Sequence, residues 1–112
     1  MRICLDFDGV LHDHAHRAPG KKMGPPIDGA HDAVWRLVRQ GHEVTVHTSR
    51  VKMIAAREHV ERWLAYFDFP PLAVHVFKPD ADVYVDDRGL RHEGDWDVTM
   101  VKLRMLGATG GR

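Results

Sequence analysis

The 112-residue chain is 44% hydrophobic and 29% charged, the balance of one globular domain and not of a disordered segment. Sixteen Lys and Arg residues offset sixteen Asp and Glu residues, which disfavours both a strongly basic nucleic-acid binder and an acidic solvating tail. No apolar run approaches the roughly 20 residues of a membrane span, and Asp6 interrupts the start before a signal-peptide core can form.

The single cysteine, Cys4, cannot form an internal disulfide and sits in the apolar run Ile3-Cys4-Leu5, so a buried thiol in a cytoplasmic protein is expected. That run suits a central strand covered on both faces, and it ends at Asp6-Phe7-Asp8-Gly9. Residues 10–26 are polar and rich in Gly and Pro, a long excursion without core periodicity and of a kind that more often serves function than connection. Asp28 is placed to cap a helix to about Gln40, with Ala30, Val34, Leu37 and Val38 on its apolar face and Gly41 as its stop. The β-branched stretch 44–48 predicts a second strand. A second helix is expected from about Lys52 to Tyr66, with Ile54, Ala55, Val60, Trp63, Leu64 and Phe67 as its buried stripe. Pro70-Pro71 closes that region, residues 73–77 form a third strand and residues 82–86 a fourth. Asp97 is placed to cap a last helix through about Leu106, stopped by Gly107, with residues 107–112 as a frayed tail. Strands alternating with helices predict a single α/β domain over residues 1–112 with a short parallel sheet.

Three of these strands end in reactive residue types: Asp6/Asp8, Thr48/Ser49 and Asp86/Asp87. Open parallel sheets bind ligands beyond the carboxyl ends of their strands, so parallel neighbours would bring the three clusters to one edge. Four carboxylates gathered there repel one another. A hard cation such as Mg²⁺, which prefers oxygen ligands, resolves that repulsion. Carboxylates, a cation and hydroxyls together suit a phosphoryl group, whose oxygens need neutralising before an anionic nucleophile approaches.

Asp6-Phe7-Asp8-Gly9-Val10-Leu11 resembles the first motif of the haloacid dehalogenase-like (HAD) phosphohydrolases. Thr48 is similar to their second motif, Lys78 to the third-motif lysine, and Val83-Tyr84-Val85-Asp86-Asp87 to the paired-aspartate form of the fourth. The likeness spans roughly residues 2–90 and implies a Rossmann-like three-layer sandwich without a cap domain. It implies Asp6 as the nucleophile that forms an aspartyl-phosphate, and Asp8 as the acid that protonates the leaving oxygen and then activates water. It also implies Mg²⁺ held by Asp6, the backbone carbonyl of Asp8, Asp86 and Asp87, with Thr48 on a phosphoryl oxygen. The implied activity is a Mg²⁺-dependent phosphatase acting on phosphomonoesters. Its capless, open site would suit a large substrate or one closed over by a partner subunit. The neutral charge does not point to nucleic acid, and a dimer through the last helix or Trp96 is one option. Phosphotransfer to a hydroxyl uses the same residues. A non-catalytic phospholigand-binding module is the alternative from another class, against which the pairing of Asp6 with Asp8 argues.

Lys78 meets a geometric difficulty. A strand over 82–86 spans about 13 Å at roughly 3.3 Å per residue, and Lys78 precedes its far end by four residues. It reaches the site only if the chain doubles back, so Arg50 and Arg88 are rival cations, and Ser49 and Arg50 join Thr48 as phosphate-binding candidates. His12, His14 and His16 alternate and offer either a Zn²⁺ or Ni²⁺ site or, as the preferred reading, a polar flap over the active site. Arg17, Lys21 and Lys22 read as a solvated cluster or an anion guide. His47 is expected to point away from Thr48, and Trp35, Trp63 and Trp96 to serve core or interface.

Overall fold

The computed structural model describes residues 1–21, 23–50 and 55–108. In chain order it contains β1 (Arg2–Asp6), α1 (Ala30–Arg39), β2 (Glu43–His47), α2 (Ala56–Tyr66), β3 (Ala73–His75), β4 (Val83–Val85) and α3 (Trp96–Met105). The four strands make one all-parallel sheet in the order β3-β2-β1-β4. This is an α/β fold consistent with a Rossmann-like sandwich. No described helix is long and apolar enough to cross a membrane.

The register explains the core. Ile3 lies beside Val44 and Leu5 beside Val46, and Val46 lies beside Val74. Side chains alternate along a strand, so these five residues share one face, and all five are buried. Val34 of α1 and Val60, Trp63 and Leu64 of α2 complete the same apolar cluster. Each such side chain taken fully from water contributes roughly 1.5–3 kcal/mol. On the opposite face Cys4 is buried, as expected for a thiol inside an apolar strand, and burial pushes its pKa up.

Several boundaries differ from expectation. The N-cap of α1 is Gly29 in the left-handed conformation, without a side-chain cap, so Asp28 lies one residue outside the capping position. For α3 the cap is Asp95, whose carboxylate accepts the Asp97 N–H, and not Asp97 itself. The described part of α2 begins at Ala56, with Ala55 exposed; Ile54 and the expected start at Lys52 lie outside the described residues, as do Lys22 and the end of the tail. The third strand stops at His75, two residues short of Phe77.

The described residues of 10–26 hold neither helix nor strand, yet they are not wholly polar surface: Leu11 and His12 are fully buried. Their backbone is fastened at both ends. Leu11 and His12 N–H donate to the Phe7 carbonyl, Asp13 N–H to Pro25, and Ile27 N–H to Leu11. The excursion is therefore a loop whose base is tied to the core. Among the described residues, no strand or other helix packs against α3, whose Trp96, Met100 and Met105 are exposed.

A candidate active site at the carboxyl end of the sheet

The parallel register brings the ends of β1 and β2 level, with Asp6 beside His47. Phe7 N–H continues the ladder to the His47 carbonyl, and the chain then turns through Asp8 and Gly9. Gly9 has φ +84°, and a Cβ there would collide with the Asp87 carboxylate. A glycine at this turn thus lets the chain after β4 lay a carboxylate against the loop after β1. Asp6, Asp8, Gly9, Ser49, Arg50 and Asp87 share the wall of one cavity of about 670 Å³ with Arg88 and with His12 and His14 of the loop.

Asp8 carries the densest set of bonds. Arg50 grips it with two prongs, Nε donating to Oδ2 at 2.9 Å and Nη2 to Oδ1 at 2.8 Å. His12 Nδ1 lies 2.6 Å from the same Oδ1. Burial alone would raise the Asp8 pKa, but the hydrogen bonds and charge of Arg50 and His12 outweigh it and hold the carboxyl below its ordinary value. Bidentate guanidinium–carboxylate pairing has this effect because it bonds only the ionised form.

Asp6 is half-buried and its Oδ1 lies 3.1 Å from His47 Nδ1. The expectation that His47 points away from Thr48 is compatible with this contact, which no local sequence pattern signals. It depends on register across two strands far apart in sequence. Thr48 is buried, outside the cavity wall, and its Oγ1 accepts the Arg50 N–H at 3.3 Å. Thr48 therefore supports the segment that carries Arg50.

The two aspartates after β4 diverge. Asp87 lines the cavity. Asp86 turns its carboxylate onto its own loop, accepting N–H groups from Gly89 and from Arg88. The Gly89 and Arg88 backbone bonds, in that order, lower its pKa. Asp86 instead faces a separate hollow with Tyr84 and Arg91. Lys78 also stays outside the cavity wall: its Nζ sits 4.4 Å from the centre of the exposed Tyr84 ring, a cation–π contact. Residues 76–82 carry the chain from β3 across to β4, where Asp82 N–H meets the Arg2 carbonyl at the amino end of β1. Among the described residues, the arginine and lysine side chains at the cavity are accordingly Arg50 and Arg88.

The histidine trio separates. One ligand atom each of Asp8, His12 and His14 lies within 4.8 Å of the others. His12, however, has both nitrogens engaged, Nδ1 with Asp8 and Nε2 accepting the Gly24 N–H at 2.7 Å. His16 instead pairs with Asp13, and His14 with Arg17. A three-histidine metal site would need one of the two His12 bonds broken, and His14 and His16 released from Arg17 and Asp13. The oxygen donors at the cavity, the Asp6 and Asp87 carboxylates, are the type that suits a hard cation. No protein-family model, no curated protein and no solved structure matches this chain.

Proposed function

We propose that the chain is a HAD-like, capless phosphohydrolase that cleaves phosphomonoesters through an aspartyl-phosphate on Asp6. One observation carries this reading: Asp6, Asp8, Ser49, Arg50 and Asp87, from three separate segments, line a single cavity. In the first step an Asp6 oxygen attacks phosphorus while Asp8 gives a proton to the leaving oxygen. In the second, Asp8 takes a proton from water, which attacks the phosphoryl group and returns Asp6 as a carboxylate.

The Asp8–Arg50 pair gives the acid role a physical basis. While Arg50 holds it, Asp8 is kept ionised. An entering phosphoryl dianion competes for the same guanidinium, which binds phosphate as a fork. With Arg50 drawn onto phosphate, the largest of the contacts that lower Asp8 is gone, and burial, opposed then by His12 alone, moves Asp8 toward the protonated form. Mg²⁺ fits the donor set, with the Asp6 carboxylate, the Asp8 carbonyl and Asp87 as its ligands and Asp86 engaged in its own turn. When bound, Mg²⁺ supplies charge neutralisation for the phosphoryl oxygens.

The test is phosphate release from an aryl phosphate, nucleotides, sugar phosphates and 3′- and 5′-phosphorylated oligonucleotides, with Mg²⁺ or with EDTA. Turnover that needs Mg²⁺ and is lost in both Asp6→Asn and Asp8→Asn is expected. Turnover that survives Asp6→Asn would remove the nucleophile. Mg²⁺-independent phospholigand binding without turnover, unchanged in Asp6→Asn, would favour the binding module.

A further inference from the structure

His12 is the one histidine in the described residues with no exposed surface, and nothing in the chemistry above uses it. It stacks on Phe7, with ring centres 4.9 Å apart and planes within 3°. The Trp63 ring meets it edge-on at 5.5 Å. Its rotation is thus blocked on two sides. A backbone N–H can only donate, so the Gly24 N–H fixes Nε2 as an acceptor and leaves the ring proton on Nδ1. That N–H therefore donates to Asp8 Oδ1. Arg50 Nη2, 3.4 Å from Nδ1, shares the same oxygen as a second donor and is not a partner of the ring.

Gly24 is itself pinned. Its carbonyl accepts the Trp63 indole N–H at 2.9 Å, and a Cβ at this position would run into the Asp13 carbonyl. The chain of bonds runs from α2 through Trp63 and the Gly24 peptide to His12 and ends on Asp8.

We propose that His12 is a positioning residue for Asp8: its Nδ1–H, set by the Gly24 N–H, holds Oδ1 so that Oδ2 is the oxygen that carries the catalytic proton. This rests on the phosphohydrolase reading and adds a division of labour to it. Both residues line the cavity, but the Arg50 side chain keeps exposed surface there and can leave Asp8 for a phosphoryl group, whereas the His12 ring has none and stays. Once Arg50 has moved, His12 is the side chain in this bond set that still fixes the Asp8 rotamer.

The test has two arms. In the first, the imidazole ¹⁵N spectrum of the wild-type protein reports which nitrogen is protonated. A protonated Nδ1 and bare Nε2 are expected near neutral pH; the reverse tautomer would overturn the proposal without any activity measurement. The second arm compares His12→Phe, which keeps a stacking ring without the donor, and His12→Asn, whose amide N–H replaces Nδ1–H. In His12→Phe kcat should fall by about 10- to 100-fold with KM within about twofold, the scale on which misplaced groups lose rate. His12→Asn should recover most of it. Folded His12→Phe, by circular dichroism, with an unchanged kcat would refute the positioning role. A wild type that releases no phosphate from any substrate would overturn the phosphohydrolase reading instead. The tautomer would then remain the measure of His12's hold on Asp8.

Discussion

At the scale of single residues, the site turns on which atom each charged group faces. Arg50 spends both prongs on Asp8 while lining the cavity. On the proposed reading it is exchanged onto the phosphoryl group, so its forked geometry matters as well as its charge. Arg50→Lys keeps the charge and loses the fork. We expect kcat/KM to fall by about 10²–10³, the range seen when one donor to a developing oxyanion is removed. A steady-state assay on the best substrate of the panel checks this, and an unchanged kcat/KM would assign the role to Arg88. His12 gives a pH prediction. Burial, opposed by the Asp8 bond, lowers its pKa below the ordinary value. The folded state therefore binds that proton less readily than the unfolded chain. The stability this contributes is complete above the unfolded pKa of about 6.5 and is lost as pH falls below it toward the lowered folded value. Denaturation midpoints should drop between pH 7 and pH 5.5, and His12→Phe should flatten that part of the curve.

At the scale of elements, the helices differ in what holds them. Val34 of α1 is buried in the cluster formed with the sheet, and Val34→Ala should cost roughly 1–3 kcal/mol for the lost methyl groups and the cavity. That corresponds to about 4–8 °C in Tm per kcal/mol for a domain near this size. The α3 helix depends on its cap and its local bonds. Asp95→Ala removes the cap, worth about 1 kcal/mol to the helix. Because α3 packs on no other element among the described residues, far-UV helicity should fall while the main thermal transition stays within about 2 °C. A transition lowered as far as in Val34→Ala would show that α3 unfolds with the sheet. The contrast also marks what was readable in sequence. Strands and helices buried on one face announced themselves by apolar runs and stripes, and all seven elements lie where those patterns put them, within a few residues. The caps lie one residue after Asp28 and two before Asp97, because neighbouring Asp and Gly residues satisfy the same local rule. The role of His12 was hidden for a different reason. Its two partners, Asp8 and Gly24, are four and twelve residues away, and no periodicity encodes a loop folded back on its own start. The His47–Asp6 contact needs the register of β1 on β2, which only the packed sheet fixes.

For the whole molecule, a neutral chain still concentrates acid at one end of its sheet. Asp6, Asp8 and Asp87 share a cavity wall with two arginines, one of them already committed to Asp8. Asp6, Asp13 and Asp87 thus line the cavity without an arginine bond among the described residues; Asp13 pairs with His16, and on the proposed reading a bound cation would relieve the repulsion between Asp6 and Asp87. Since the unfolded chain separates these residues, a cation held as proposed would bind the folded state selectively and stabilise it as RT ln(1 + [L]/Kd), about 2.7 kcal/mol at a hundred times Kd. Mg²⁺ should therefore raise Tm in a saturable way, and EDTA should reverse it. The two adjacent aspartates then separate by geometry. Asp87→Asn should abolish most of the Mg²⁺-dependent shift, because that carboxylate lines the cavity. Asp86→Asn should lower Tm without Mg²⁺ and leave the shift intact, because its carboxylate accepts the Arg88 and Gly89 N–H groups of its own turn. The opposite pattern would mean that Asp86 leaves its turn when the cation arrives, at the cost of two charge-assisted hydrogen bonds. A Tm series against Mg²⁺ concentration for the wild type and the two variants distinguishes these outcomes, and it does so whether or not the substrate is known.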